Sequence, residues 1–153
     1  MPMDFWKTKD VPLEELMPLI LDQLEKGNAV RLTPQGTSML PLLRPGQDSV
    51  LLRSPAKELR KFDIVLYQRD SGQFVLHRLV KTGDTYTALG DHQITPESGI
   101  RREQILAVVA AFYRGGRRYL PRGLAYGAYC RIWYAFRCMY RFCRKPGWIR
   151  RHS

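Results

Sequence analysis

Between residues 29 and 113 the chain breaks into short apolar runs separated by turn-forming residues, and this limits the fold more than any other feature. The runs are Ala29–Leu32, Ser49–Arg53, Ile64–Gln68, Phe74–Lys81, Thr85–Leu89 and Ile105–Tyr113. Segments this short, rich in Val, Ile, Leu and Tyr, read as strands rather than helices. Asp70-Ser71-Gly72 makes a hairpin turn before the fourth run and Thr82-Gly83-Asp84 a second after it. Many short strands with Gly and Pro punctuation imply a mainly β domain, a small coiled antiparallel sheet or barrel. There is no internal repeat and no low-complexity segment.

A helix precedes this sheet. Leu13, Leu16, Met17, Ile20, Leu21 and Leu24 recur at the spacing of one helical face. Asp10 suits the N-cap, Pro12 the first turn and Gly27 the stop. The expected role is packing over one side of the domain, the alternative being a lid that captures substrate. No second helix pairs with it as a helix-turn-helix would require. The expected organisation is an amphipathic helix in 1–28, a β domain in 29–116 and a helical tail in 117–153.

Charge separates the tail from the rest. Residues 1–113 hold 14 Lys/Arg against 14 Asp/Glu, whereas residues 114–153 hold 11 Lys/Arg and no acid. The tail also carries nine of the seventeen aromatic residues and all three cysteines, Cys130, Cys138 and Cys143. Cysteine spacings of eight and five match no common zinc pattern, so reduced structural thiols are expected. From Leu124 to Phe142 the aromatics are interrupted by Arg131, Arg137 and Arg141. A spanning helix would place these in hydrocarbon at roughly 2.5 kcal/mol or more each near the centre. A helix in the interface keeps aromatics at headgroup depth while Arg snorkels to anionic lipid. Residues 124–143 are therefore expected to meet an anionic membrane surface. Packing on the domain and contact with single-stranded nucleic acid are the alternatives, with no specific nucleic acid expected. The polar first residues and the lack of an apolar run of ~18 residues point to a cytoplasmic or peripheral-membrane protein without signal peptide or spanning helix.

The chemistry concentrates in two places. Gly36-Thr37-Ser38-Met39-Leu40-Pro41 is built for a tight turn that presents the Ser38 hydroxyl, since Gly36 gives freedom and Pro41 cannot continue a strand. His77 lies 39 residues on, in the apolar run Phe74–Val80, where an imidazole is held rigidly. Serine needs an adjacent base to become a nucleophile, and neutral His is the usual one. The pair points to a serine peptidase. Three His without His-Glu-x-x-His or paired-Cys spacing give no metal site, and no phosphate-cradling or dinucleotide Gly loop is present, so no cofactor is expected.

Four segments in order resemble the boxes of the S24/S26 peptidases, which include type I signal peptidases and self-cleaving repressors. They are Gly36–Leu43, Phe62–Tyr67, Val75–Val80 and Leu89–His92, within roughly Val30 to Phe112. The His77-Arg78 pair resembles the SipW-like and endoplasmic-reticulum branch, where His replaces the general-base Lys. The resemblance implies a serine endopeptidase acting on a peptide or protein substrate, such as a leader or signal segment. Phe62 stands where that box usually has Gly, and Gln47 separates Gly46 from Asp48. Gly36 occupies the position where some signal peptidases add a hydroxyl to the oxyanion hole, leaving backbone or Thr37.

Asp91 is the candidate to orient His77 in the manner of a triad, with Glu97 as rival orienter and His92 as rival base. Arg78 points to the other face of its strand from His77 and is expected to pair with Asp63 or Asp91. His152 sits in the basic terminus and is expected to be exposed. A non-catalytic module that keeps the sheet and docks on membrane or nucleic acid through its tail is the alternative function.

Overall fold

The computed structural model of the protein describes residues 3–4 and 11–144; Asp10 and His152 lie outside them. Among the described residues nine strands form one sheet, flanked by two α-helices. In chain order they are β1 (Met3–Asp4), α1 (Leu13–Glu25), β2 (Val30–Leu32), β3 (Ser49–Arg53), β4 (Ile64–Gln68), β5 (Phe74–Lys81), β6 (Tyr86–Leu89), β7 (Glu97–Ile100), β8 (Ile105–Arg114), β9 (Arg117–Tyr119) and α2 (Leu124–Cys143). The sheet runs β1-β2-β3-β8-β4-β5-β6-β7, with β9 added beside β8. Only the β1–β2 contact is parallel. The mainly β, antiparallel reading is thus what the chain adopts.

α1 follows its predicted face. Met17, Ile20 and Leu24 are buried against Val30, Val50, Leu52, Ile64, Leu66 and Val109 in the main core. Pro12 occupies the N-cap position, with no side-chain capping hydrogen bond among the described residues. Gly27 ends the helix at φ 80°, donating to the Leu24 carbonyl at 3.0 Å. Strand alternation sends Ile64 and Leu66 to this core and Val65 and Tyr67 to a second one with Val75, Leu79, Ala88 and Ile105.

Two features of β5 position everything that follows. Its first part, Phe74 to Arg78, pairs with β4, Val65 standing opposite His77, whereas β6 pairs only with its second part, from Arg78 to Lys81. Residues 74–77 therefore border open space on one side. In the second half, Arg78 is completely buried and opposite Leu89.

α2 packs where Arg78 needs cover. The Arg78 guanidinium forms a two-pronged ion pair with Asp91, Nε to Oδ1 and Nη2 to Oδ2, both 2.8 Å, and neither side chain is exposed. Its Nη1 hydrogen-bonds the Tyr126 hydroxyl and Cys130 Sγ, and the group lies 5.3 Å from the Trp133 ring centroid. Tyr129 donates to Asp91 Oδ2 at 3.0 Å, and Trp133 Nε1 to the Asp91 carbonyl at 2.8 Å. Tyr126, Tyr129, Cys130 and Trp133 fall on one helical face. That face serves packing on the domain. Among the described residues no helix is long and apolar enough to cross a membrane.

Phe62 takes a left-handed conformation, φ 76°, with its amide donating to the Leu79 carbonyl at 2.7 Å. A side chain there costs roughly 1–2 kcal/mol. The ring meets Tyr134 of α2 edge-on, centroids 6.1 Å apart, with Lys61 Nζ over both rings.

Candidate active site

The Ser38 turn is pinned by apolar anchors that follow the serine. Met39 and Leu43 are buried in the main core, while Ser38 itself is half-buried. Leu40 donates to the Thr37 carbonyl at 3.1 Å and Leu43 to Met39 at 2.9 Å, and the Leu40–Pro41 bond is cis. Beyond the turn, buried Asp48 accepts from the Arg44 amide at 2.9 Å and from the guanidinium groups of Arg44 and Arg114. Burial pushes the Asp48 carboxyl up, but these donors outweigh it and hold it at about 2. Arg114 also reaches the Leu42 carbonyl at 2.7 Å, so one carboxylate fastens the serine loop to β8.

A second loop closes on the turn from the other side. The His92 amide donates to the Ser38 carbonyl at 2.8 Å. A Cβ at Gly90 would lie 2.6 Å from that same oxygen, which only glycine allows. Gly90 and the His92 amide therefore set the Ser38 backbone.

Ser38 and His77 line one cleft of about 610 Å³, between α1, the Ser38 turn and the open edge of β5. Its apolar walls include Leu13 and Leu16 of α1, Leu32, Met39, Phe74 and Leu76. α1 is thus both a packing helix and one wall of the cleft. No hydrogen bond joins Ser38 Oγ to His77, and Ser38 Oγ has no protein partner among the described residues.

His77 is held by groups that sequence reasoning ranked low or missed. Its Nδ1 lies 3.3 Å from the Tyr67 hydroxyl, which donates to Glu97 Oε2 at 2.7 Å. Arg69 grips Glu97 through Nε at 3.0 Å and Nη2 at 2.8 Å. Burial pushes the Glu97 carboxyl up, but the hydrogen bonds from Arg69 and Tyr67 prevail and keep it below its ordinary value. Glu97 is then an acceptor only, so it accepts the hydrogen bond of the tyrosine hydroxyl. Tyr67 oxygen must accept from His77, which places the imidazole proton on Nδ1 and leaves Nε2 as the basic nitrogen. Burial, followed by the charge of Arg69, lowers the His77 pKa to about 4, against a smaller opposing pull from Glu97.

Asp91 is elsewhere. Its carboxylate is committed to Arg78 and Tyr129, on the face of β5 away from His77, so it does not orient the imidazole. Of the two expected partners, Asp91 rather than Asp63 takes Arg78; Asp63 accepts from the Arg60 amide at 2.8 Å. His92 is exposed and lines a shallower neighbouring hollow of about 400 Å³ with Arg69, Gln93 and Glu97. The one available sign of Tyr67 was a tyrosine in an otherwise aliphatic buried strand, whose hydroxyl must find a partner. Comparison with protein-family models and with curated proteins finds no match to this chain.

Proposed function

We propose that the chain is a serine endopeptidase of the S24/S26 kind, with Ser38 as nucleophile and His77 as general base. The observation that carries this reading is the opening of both side chains onto one cleft, with His77 Nδ1 turned to the Tyr67–Glu97 pair. An extended peptide fits along the unpaired edge at residues 74–77, adding a strand whose apolar side chains enter the cleft. Ser38 Oγ attacks the scissile carbonyl carbon and its proton passes to His77 Nε2. The serine's own amide, without an acceptor among the described residues, faces the developing oxyanion. The C–N bond breaks as the imidazolium returns the proton to the leaving amine, and water then releases the acyl group by the reverse sequence. Tyr67 and Glu97 hold the imidazole through both steps. The open Ser38–His77 geometry tightens when substrate excludes water, as is common for free enzymes.

The test is cleavage of an extended-peptide library by the wild type beside Ser38→Ala and His77→Ala, each checked for intact fold. Cleavage lost in both variants supports the dyad. A wild type that binds peptides without cutting any makes the chain a non-catalytic binding module instead.

A further inference from the structure

α2 carries two apolar faces, and the fold uses only one of them. Flanking the docked stripe on one side stand Ile132, Phe136, Met139 and Phe142, each more than half exposed and spaced i, i+4, i+7, i+10. Arg131 borders this stripe, while Arg137 and Arg141 continue the line of Trp133 beyond the domain; none is paired with a carboxylate among the described residues. We propose that this outer face of α2 docks in the plane of an anionic phospholipid surface, with Phe136 and Met139 entering the headgroup–acyl boundary.

The charge pattern selects this occupant. A second copy meeting the stripe would bring two arginine-rich helices together, and no acidic residue follows Glu103 to neutralise them. Nucleic acid would satisfy the arginines and could stack on Phe136 and Phe142, but would leave Ile132 and Met139 against water. A lipid surface accepts both, since arginines with long stems reach phosphates while the apolar stripe sinks beneath them. The inner face, held by Arg78 and Asp91, keeps the helix rigid on the sheet, so docking needs no refolding.

The experiment is co-sedimentation of the full chain with vesicles of phosphatidylcholine, with and without phosphatidylglycerol, across a salt series. Binding is expected only with the anionic lipid, weakening as salt rises but leaving a salt-resistant fraction from apolar insertion. Phe136→Asp and Met139→Asp, both at exposed sites, should lower affinity about tenfold or more. Arg137→Gln and Arg141→Gln should each lower it about fivefold. Unchanged binding in the Asp variants, equal binding to neutral vesicles, or binding confined to single-stranded RNA would each overturn the proposal. So would a concentration-dependent dimer, dissolved by Phe136→Asp, in a protein that ignores vesicles. Neither result bears on peptide cleavage in solution, so this proposal and the peptidase reading fail separately.

Discussion

The His92 amide donates to the Ser38 carbonyl, and Gly90 lies so close to that oxygen that a single added carbon would collide with it. The loop after β6 is in this way the mould for the serine turn. Gly90→Ala is therefore expected to move Ser38 rather than merely crowd it. Peptide cleavage should fall by about 10²-fold, the effect of a displacement near 1 Å at a reacting group. Steady-state kinetics with a thermal melt would check it, and unchanged kcat would show that the turn is set by other contacts.

The acid limb of activity should lie low. Only neutral imidazole accepts the serine proton, and His77 is held at about 4, so kcat/KM should be flat near neutrality and fall as pH drops toward that value. Glu97 pulls the His77 pKa upward, so Glu97→Gln should move the limb to still lower pH. Tyr67→Phe removes the acceptor for Nδ1–H and should lower kcat by about 10–100-fold, with little change in KM, by freeing the wrong tautomer. A limb at the ordinary imidazole pKa would show His77 to be solvated.

Stability should follow the same group. Folded His77 binds its proton at about 4, below the ordinary imidazole value of 6.5, so between these pH values the unfolded chain holds more protons. Its contribution is complete above 6.5 and is lost as pH falls toward 4, a change of about 3 kcal/mol across the window. Denaturant melts of wild type and His77→Gln at several pH values would reveal it. The variant should lack that part of the slope.

Asp91 is expected to matter for folding. Asp91→Ala leaves a fully buried guanidinium unpaired, which typically costs about 3–5 kcal/mol. The molecules that remain folded should keep the wild-type pH profile, because Asp91 does not touch His77. A shifted acid limb would return Asp91 to the catalytic group. Ending the chain at Gly123 should be comparably damaging, since it strips Tyr126, Tyr129, Cys130 and Trp133 from Arg78.

The six strands read from the sequence all formed, because each carries its own apolar period and its own flanking turns. β1, β7 and β9 were invisible for the opposite reason. Glu97–Ile100 and Arg117–Tyr119 are short and largely exposed, and pairing alone makes them strands. The meeting of Ser38 and His77 on one cleft was foreseeable from residue type and spacing. The partner of His77 was not, because Tyr67 becomes one only through the β4–β5 register, thirty residues from Glu97 in the chain. Asp91 was misplaced because a Gly-Asp pair announces a turn without revealing which buried cation the carboxylate serves.

Phe62 has a diagnostic meaning of its own. A bulky ring in the left-handed region is tolerable when another ring packs against it, and here Tyr134 does so from α2. Position 62 therefore works as a marker readable without coordinates. In a chain of this architecture, glycine there is compatible with a bare sheet end, whereas an aromatic side chain announces that something covers it. Phe62→Gly would relax the backbone and unfasten the middle of the helix in one step.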